Sequence, residues 1–277
     1  DIRRRDKGSW RQRVEHRAGN CPRCPLDILH LCRSEYRTDP EVRELWNRDI
    51  FLPRTVCTGK YVSTETHLRE LICLLAKSMY ARGLTGGSTG NISARTDDGG
   101  LLVSPTGSSF GRLDPAELSR FDANGTQIGG KKPTKEMPLH TAFYDTRSTA
   151  GAVVHLHSCH SVALSMMPDV DKDNFLPALT PYGIMKLGKV KLLPFFMPGD
   201  PEMGQAVRGL AGKRSAVMLA NHGPVVAGKD VEAACNAIEE LEDTARLAMM
   251  TRGLVPKGLS RDQISALVTK FDVEWDE

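Results

Sequence analysis

The sequence has few aromatic residues, little net charge and no long apolar run. Aromatic residues make up 6% of the 277 residues. No apolar stretch approaches the roughly 20 residues that a membrane-spanning helix needs. The first residues also lack the charged and then apolar order of a secretory signal. We therefore expect a soluble, cytoplasmic protein that has no membrane partner.

The small net charge argues against nucleic acid as the partner. The chain has 37 Lys and Arg residues and 34 Asp and Glu residues, which gives a formal net charge of +3. Most of this excess lies within residues 1–20, whereas proteins that bind nucleic acid usually present a much larger basic surface. Contact with a phosphate polymer and a targeting role stay open for this arm. We interpret it as a solvated tail and expect no nucleic-acid partner.

The seven cysteines do not follow the pattern of a secreted, disulfide-rich protein. Their number is odd and their spacing is irregular, so we expect reduced thiols. Cys21 and Cys24 form a single Cys-x-x-Cys pair, and Cys32 and Cys57 follow at irregular distances. A zinc knuckle needs a second pair at similar spacing, which is missing. A metal site and an irregular extension with partly buried thiols both stay open for this segment.

The texture of the sequence changes near Ser63. Residues 1–62 are basic, irregular and interrupted by proline, whereas residues 63–277 alternate between helical and strand patterns. β-Branched clusters such as AVVHLH at 152–157 and SAVMLA at 215–220 predict strands. We therefore divide the chain into an N-terminal extension, 1–62, and one folded domain, 63–277.

The folded domain is predicted to be α/β. Its elements do not keep the strict strand–helix–strand order of a doubly wound parallel sheet, and hairpin-like spacings are frequent. This pattern predicts three layers, with a central, largely antiparallel mixed sheet and helices on both faces. Helices are predicted to begin near Thr64, Pro138, His160, Pro201, Asp230 and Ser260.

The longest predicted helix runs from Asp230 to Thr251. Its apolar residues recur on one face, and the Asp230 side chain is suited to cap the first turn. The same helix carries four acidic residues that we assign to its solvent-exposed face: Glu239, Glu240, Glu242 and Asp243.

The segment HLHSCH at 155–160 is the densest group of metal-binding side-chain types. His155 and His157 lie two residues apart at the end of a predicted strand, where side chains at positions i and i+2 point to the same face. Both imidazoles can therefore reach one ion. A His-x-His pair is a weak signal by itself, and a pair of surface or core histidines is the alternative. The spacing does not place His160.

Two further residues strengthen the prediction of a metal site. His222 follows the strand SAVMLA and precedes a glycine turn, and Glu136 lies at a predicted helix start in KPTKEMPLH. Three imidazoles and one carboxylate suit zinc, and other divalent first-row metals accept the same donors. The alternatives are a turn histidine bonded to the backbone and an acidic residue favoured at a helix N-terminus. His140, one turn after Glu136, is predicted to support the site or to pack in the core.

Nucleophilic catalysis has less support in the sequence. The Gly-x-Ser-x-Gly spacing occurs at 86–90 and 107–111, but neither stretch lies between a predicted strand and a predicted helix, as a nucleophile elbow does. This argues against a Ser/His/Asp site of the hydrolase type. Cys159 lies between the histidines at a helix start. We interpret it as a packing or supporting residue.

Two short stretches have the composition of anion-binding loops. Residues 86–91 and 104–108 offer backbone N–H groups and short hydroxyl or amide donors, for which phosphate is the natural ligand. Neither stretch is a Walker loop or a dinucleotide-binding fingerprint. Each stretch taken alone is more often a plain turn.

Taken in order, these motifs resemble those of the class II aldolase/adducin family. The motifs are GNIS, SPTG, a single Glu before PLH, HLHSCHS and NHG, and the resemblance extends over residues 64–277. It implies an α/β fold with a central antiparallel sheet, which would make residues 63–277 the catalytic domain. It also implies a homotetramer with fourfold symmetry and active sites near the subunit interfaces.

The resemblance further implies the residues of the site. A zinc ion would be held by Glu136, His155, His157 and His222. The phosphate of the substrate would be bound by Ser88, Asn91, Thr106, Gly107, Thr134 and Lys135, although the aldolases of the family usually have two serines at the last two positions. The catalytic residues would be Glu136, as base and acid, and Tyr182, as a proton donor that reaches a neighbouring subunit's site. A second family tyrosine has no counterpart in the C-terminal FDVEWDE.

The activity that the resemblance implies is that of a metal-dependent carbon–carbon lyase. Its substrate would be a phosphorylated sugar or sugar acid, cleaved through the enediolate of dihydroxyacetone phosphate. The stretches PTKEMPLHTAFYDTR and LANHGPVVAGKD are most similar to a branch that decarboxylates 3-oxo-tetronate 4-phosphates. Lys135 favours this branch, because an ammonium group suits a substrate with a carboxylate as well as a phosphate.

Three alternatives to decarboxylation stay open. One is retro-aldol cleavage of fuculose 1-phosphate to dihydroxyacetone phosphate and lactaldehyde. Another is epimerisation of a pentulose phosphate by the same bond cleavage followed by re-addition. The third is an adducin-type scaffold without catalysis, which would be expected to lack the metal ligands.

Overall fold

A computed structural model of the chain describes residues 64–276. These residues form seven α-helices, two short 3-10 helices and one eight-stranded sheet. None of these helices combines the length and apolar character that crossing a membrane requires. The predictions for residues 1–62, including those for Cys21, Cys24, Cys32 and Cys57, lie outside the described residues, and the boundary at 62/63 stays a prediction.

The α-helices and strands have the following bounds. The α-helices are α1 Thr64–Ala81, α2 Met137–Thr146, α3 Cys159–Ser165, α4 Pro181–Leu187, α5 Pro201–Gly209, α6 Val231–Met250 and α7 Arg261–Phe271. The strands are β1 Asn91–Arg95, β2 Leu101–Val103, β3 Ser119–Phe121, β4 Gln127–Gly129, β5 Ala152–His155, β6 Lys191–Leu193, β7 Ala216–Leu219 and β8 Gly223–Gly228.

The sheet has the strand order β4-β3-β2-β1-β5-β8-β7-β6. Every neighbouring pair is antiparallel except β6 and β7, which are parallel. The predicted α/β class with a central, largely antiparallel mixed sheet is therefore confirmed.

Alternate residues of the central strands belong to two different apolar clusters. In β5, Val154 packs in a cluster with residues of α1, α3 and α6, whereas Val153 packs in a cluster with residues of α2 and α5. Met218 and Val217 of β7 divide in the same way. Because successive side chains of a strand point to opposite faces, helices cover both faces of the sheet, as the sequence predicts.

Short polar side chains explain where several helices begin. The carboxylate of Asp230 accepts a hydrogen bond from the backbone N–H of Ala233 at the start of α6. Ser260 and Gln263 form the predicted capping box at the start of α7. Each of these side chains satisfies N–H groups that the first turn leaves without a partner inside the helix.

Three strands lie where the sequence analysis places none. β3 and β4 have three residues each, which is too short for alternation to be visible in the sequence. β8 begins at Gly223, where we expected a glycine turn. The turn is instead completed at Asn221, whose φ of 58° lies in the left-handed region. The chain therefore returns at once as a strand antiparallel to β7.

Glu242 contradicts the prediction that the acidic residues of the long helix form its solvent-exposed face. Glu242 is 7% exposed, and its carboxylate accepts hydrogen bonds from the backbone N–H groups of His160 and Ser161 at 2.8 and 2.9 Å. Nδ1 of His160 lies 2.8 Å from the same carboxylate. The N-terminus of α3 needs acceptors for its N–H groups, and Glu242 provides them from α6.

Candidate metal centre

The candidate site lies at one edge of the sheet, where central strands begin or end. β1 begins at Asn91 and β5 ends at His155, and these two residues are partners in the antiparallel register. β8 begins at Gly223, directly after His222. Since β5 is antiparallel to both β1 and β8, the end of β5 lies beside the starts of the other two. The sheet therefore brings residues together that are far apart in the sequence.

Four side chains converge at this edge. The candidate ligand atoms of Glu136, His155, His157 and His222 all lie within 4.8 Å of one another. The three imidazole rings pack edge to face, with centroids 4.8 to 5.0 Å apart. Nε2 of His155 and Nε2 of His222 lie 3.4 and 3.3 Å from the carboxylate oxygens of Glu136. All four predicted metal ligands are thus close enough to share one ion.

The cluster contains buried nitrogen atoms without hydrogen-bond partners. Nε2 of His155 and both ring nitrogens of His222 are buried and make no well-oriented hydrogen bond. Each buried polar atom left in this state costs about 1–3 kcal/mol, and a native protein rarely accepts several of them at one place. Three imidazoles and a carboxylate form a donor set typical of zinc. The residues therefore fit a divalent metal ion.

The backbone of β8 fixes the orientation of His155. Nδ1 of His155 donates a hydrogen bond to the carbonyl oxygen of Pro224 at 2.9 Å. In a neutral ring this bond leaves Nε2 unprotonated, with its lone pair available to a cation. The backbone N–H of Leu156 donates to the same oxygen at 3.2 Å, so the residue after His155 is held as well.

His157 reaches the cluster by a different route from the one that the sequence predicts. β5 ends at His155, and His157 lies in the turn before α3. Strand alternation is therefore not the reason why the two imidazoles meet. The end of this turn is fixed by α3, whose first N–H groups bind the carboxylate of Glu242.

Burial sets the charge state of the cluster. Burial lowers the pKa of His155, and it lowers the pKa of His157 to about 4 with help from the charges of His155 and His222. Burial raises the pKa of Glu136, but His155, His222 and Asn91 lower it by more, so the net pKa lies well below its usual range. At neutral pH, Glu136 is ionised while His155 and His157 are neutral, which is the state that binds a cation.

Asn91 holds the carboxylate of Glu136 rather than lying open in the glycine loop. Its Nδ2 donates a hydrogen bond to Oε2 of Glu136 at 2.6 Å, and its Oδ1 lies within hydrogen-bond distance of Nε2 of His140. A phosphate contact from this amide would depend on its second N–H. His140 is fully buried, and burial lowers its pKa to about 3.

Ser93 and Tyr144 complete the surroundings of His140, and the sequence analysis missed both. Oγ of Ser93 lies 2.7 Å from Nδ1 of His140 and 2.8 Å from the hydroxyl of Tyr144. The available signal for Ser93 was a polar residue within the strand NISAR. The signal for Tyr144 was its spacing of four residues from His140, which places both on one side of a helix.

Outside the glycine loop, the residues predicted to bind phosphate lie in two stretches, 104–108 and 134–135, which run side by side. The backbone N–H of Thr106 donates to the carbonyl of Lys132 at 3.0 Å, and that of Thr134 donates to the carbonyl of Ser104 at 3.2 Å. Thr106 is half-buried, and Thr134 is buried two residues before Glu136. The loops thus bring Thr106 and Thr134 next to the start of α2.

The glycine loop lies directly against the end of β5. A Cβ atom added at Gly90 would come within 3.0 Å of the carbonyl oxygen of His155, and the φ of Gly90 is +83°. This position therefore requires glycine for both space and conformation. Ser88, Gly107 and Lys135 are exposed to solvent, so a ligand can reach them.

Tyr182 and Cys159 are also exposed. Tyr182 is 58% exposed on α4, and its hydroxyl makes no hydrogen bond to any residue within 64–276. The structure of a single chain therefore does not join Tyr182 to the cluster. Cys159 is exposed at the first residue of α3, so the prediction that it packs against its surroundings is wrong, while its alternative role in supporting the site stays a prediction. A helix start leaves the first side chain free of the preceding turn.

Comparison with known proteins gives one consistent family. Residues 70–249 match the Class II Aldolase and Adducin N-terminal domain. The chain is 43% identical over 218 residues to the 3-oxo-tetronate 4-phosphate decarboxylase of Cupriavidus necator, a match that covers 77% of this chain and 100% of the relative. It is 34% identical over 181 residues to the L-fuculose phosphate aldolase of Methanococcus maripaludis, which covers 65% of this chain and 95% of the relative.

A solved structure supports the same assignment. YgbL of Escherichia coli, described as a candidate aldolase, epimerase or decarboxylase, matches with a TM-score of 0.71 and 41% identity. The match covers 73% of this chain and 98% of YgbL. The chain therefore belongs to the class II aldolase and adducin family, as one of its lyase enzymes.

Proposed function

We propose that this protein is a metal-dependent 3-oxo-tetronate 4-phosphate decarboxylase. The observation that carries the proposal is the four-residue cluster in a chain that is 43% identical to such a decarboxylase over that enzyme's whole length. The identity to an L-fuculose phosphate aldolase is lower, at 34%. The match to the decarboxylase thus favours loss of carbon dioxide over release of an aldehyde.

The cation would be held by Glu136, His155, His157 and His222, and zinc suits these donors. A divalent cation at this place supplies a Lewis acid that stabilises the negative charge developing on a ketone oxygen when the neighbouring carbon–carbon bond breaks. The chain itself prepares the site by keeping His155 and His157 neutral and Glu136 ionised.

Glu136 is assigned the proton transfer. Loss of carbon dioxide from the substrate leaves the bonding electron pair on the carbon next to the ketone, and this carbon must take up one proton to give dihydroxyacetone phosphate. Because Glu136 is ionised in the free protein, it would take up a proton from solvent and pass it to this carbon. Glu136 is 7% exposed and is held by Asn91, so its orientation is defined before the substrate binds.

The phosphate of the substrate is assigned to the three loops around the cluster. Ser88 and Asn91 lie in or beside the glycine loop, and Thr106, Gly107 and Thr134 lie on the two stretches joined by backbone hydrogen bonds. Hydroxyl and backbone N–H groups are the usual phosphate donors in such loops. Lys135 adds an exposed ammonium group next to Thr134, where it can attract the carboxylate of a sugar acid.

Substrate profiling tests the proposed function. The zinc-loaded protein is assayed for carbon dioxide released from a 3-oxo-tetronate 4-phosphate and for lactaldehyde released from L-fuculose 1-phosphate. We expect a higher kcat/KM for the first reaction. A higher kcat/KM for aldehyde release would overturn the decarboxylase assignment and leave the metal-dependent lyase.

Retro-aldol cleavage of L-fuculose 1-phosphate is the second candidate function. The similarity to the L-fuculose phosphate aldolase of M. maripaludis favours it, and the same cluster serves both reactions because each breaks a bond next to a ketone. An epimerase of pentulose phosphates would use this bond cleavage as well, but it must retain the aldehyde. A scaffold without catalysis would have no need of the buried ligand set.

We extend the proposal to assembly and location. A cytoplasmic homotetramer would place Tyr182 of one subunit at the site of its neighbour as a proton donor. The exposed side chain of Tyr182 supports this assignment, since the cluster of its own chain offers it no contact.

A further inference from the structure

A continuous chain of hydrogen bonds connects Tyr144 with Glu136. The hydroxyl of Tyr144 lies 2.8 Å from Oγ of Ser93, which lies 2.7 Å from Nδ1 of His140. Nε2 of His140 contacts Oδ1 of Asn91, and Nδ2 of Asn91 donates to Oε2 of Glu136 at 2.6 Å. All five residues are at most 7% exposed. Water therefore has little access to this chain of contacts.

Two regular elements supply the five side chains. Asn91 and Ser93 are two residues apart in β1, so their side chains point to the same face of the sheet. Glu136, His140 and Tyr144 follow one another at intervals of four residues, with Glu136 as the N-terminal flanking residue of α2. The spacing of the strand residues matches that of the helix residues. Ser93 therefore contacts both Tyr144 and His140, and Asn91 contacts both His140 and Glu136.

The carboxylate at one end fixes the direction of every hydrogen bond. A carboxylate offers only acceptors, so Asn91 must present its N–H group to Glu136 and its oxygen to His140. Nε2 of His140 must then donate, and the neutral ring accepts at Nδ1. The hydroxyl of Ser93 donates to that nitrogen, and its oxygen accepts from the hydroxyl of Tyr144. Only one arrangement of donors satisfies all four contacts.

We propose that Ser93, His140 and Tyr144 are positioning residues that fix the amide of Asn91 and, through it, the carboxylate of Glu136. If the amide rotated by half a turn, its oxygen would face the carboxylate and two acceptors would repel each other. The single donor at Nε2 of His140 prevents this rotation. The inference rests on the role in proton transfer proposed above for Glu136.

Kinetics of two serine variants test the proposal. Ser93→Ala removes the donor to Nδ1 of His140, and we expect kcat for decarboxylation to fall about 10- to 100-fold with KM changed by less than about twofold. Ser119→Ala is the matched control. Ser119 lies in β3, two strands away from β1 in the sheet. It is as buried as Ser93, and its hydroxyl donates to the carbonyl oxygen of Lys131. The control is expected to keep kcat within about twofold of the wild-type value.

The tautomer of His140 gives a readout that needs no turnover. Nitrogen NMR of the metal-free 277-residue chain, with 15N-labelled histidine, reports which ring nitrogen carries the proton. The His140 signal is identified by its loss in His140→Gln. We expect His140 to be neutral and protonated at Nε2 in the wild-type protein.

The two readouts separate failure of the proposed positioning role from failure of the proposed function. A proton at Nδ1 of His140 in the wild-type protein, or equal kcat values for Ser93→Ala and Ser119→Ala, would overturn the positioning role. An inactive wild-type protein with the expected tautomer would overturn the function and leave the hydrogen-bond order intact.

Tyr144→Phe replaces Ser93→Ala if the serine variant does not fold. This variant keeps the aromatic ring and removes only the hydroxyl that donates to Ser93. We expect kcat to fall about fivefold with an unchanged KM, which corresponds to the loss of one hydrogen bond at the far end of the chain. An unchanged kcat in a folded Tyr144→Phe protein would contradict the proposal.

Discussion

Glu136 is the residue on which the most interactions of the site converge. Its carboxylate lies next to two imidazoles and accepts a hydrogen bond from Asn91. The four converging side chains could be predicted from the sequence as candidate ligands, because His-x-His, Asn-His-Gly and a glutamate before Pro-Leu-His are local patterns. The support from Ser93 and Tyr144 could not, because it depends on how β1 packs against α2.

Glu136→Gln tests the proton transfer at the scale of one side chain. We expect the zinc-loaded variant to bind substrate, and its kcat to fall at least about 100-fold, because an amide cannot exchange the proton. Zinc content and kcat are measured together, with Glu239→Gln as the control. Glu239 lies in α6 and forms an ion pair with Arg82, which directly follows α1. Turnover at the wild-type rate would refute the assignment.

The cysteines provide a second prediction for single residues. Burial raises the pKa of Cys73 to about 11, and burial with the charge of Glu239 raises the pKa of Cys235 to about 12. The thiolate is the reactive form, so both thiols stay protonated at pH 8 and react only as the pH approaches these values. We expect iodoacetamide at pH 8 to modify the exposed Cys159 well before Cys73 and Cys235. Peptide mass spectrometry would count against the burial argument if Cys235 were modified as fast as Cys159.

At the scale of elements, the N-terminus of α3 depends on a carboxylate from another helix. The carboxylate of Glu242 in α6 accepts hydrogen bonds from the backbone N–H groups of His160 and Ser161 at the start of α3. These bonds fix the end of the turn that carries His157. Sequence periodicity predicts α6 itself, but Glu242 lies among other acidic residues and its burial follows only from the packing of α3. β8 was missed for a similar reason, since Gly223 and Pro224 are typical of turns.

Glu242→Ala is expected to destabilise the fold. The substitution removes the acceptors of the backbone N–H groups of the buried Ser161 and the half-buried His160. A buried N–H group without an acceptor costs about 1–3 kcal/mol. Denaturant unfolding measures the free energy of unfolding. The control is Asp243→Ala on the same helix. Asp243 is exposed, and its carboxylate forms a surface ion pair, with Oδ1 lying 3.8 Å from Nη1 of Arg246. The control is expected to change the free energy by less than about 1 kcal/mol, and equal losses in both variants would disprove the capping role.

At the scale of the whole molecule, the sheet brings distant motifs to one edge, and the subunits of a tetramer would complete the site. The sequence predicts the family, the mixed sheet and the ligand types, since these depend on motifs and local patterns. It does not settle the substrate, because the chain is similar both to a 3-oxo-tetronate 4-phosphate decarboxylase and to an L-fuculose phosphate aldolase.

Subunit mixing tests whether Tyr182 acts in a neighbouring site. We expect light scattering to give four times the 30.5 kDa chain mass, and we expect Tyr182→Phe to lower kcat about 100-fold or more as an isolated variant. Co-expression with Glu136→Gln forms mixed tetramers, in which some sites combine an intact Glu136 with an intact Tyr182 from the adjacent chain. Activity should then exceed that of either variant alone. Mixed tetramers without recovered activity would show that Tyr182 does not serve the neighbour.

The central claim is that one divalent ion is held jointly by a carboxylate and three imidazoles. Anomalous diffraction at the zinc absorption edge, from crystals of the zinc-loaded protein, locates the ion directly. We expect one site per chain, with His155, His157 and His222 each about 2.0–2.1 Å from the metal through a ring nitrogen and Glu136 as the carboxylate ligand. Zinc bound elsewhere, for example by the cysteines of residues 1–62, with no anomalous signal between the three imidazoles, would contradict the account.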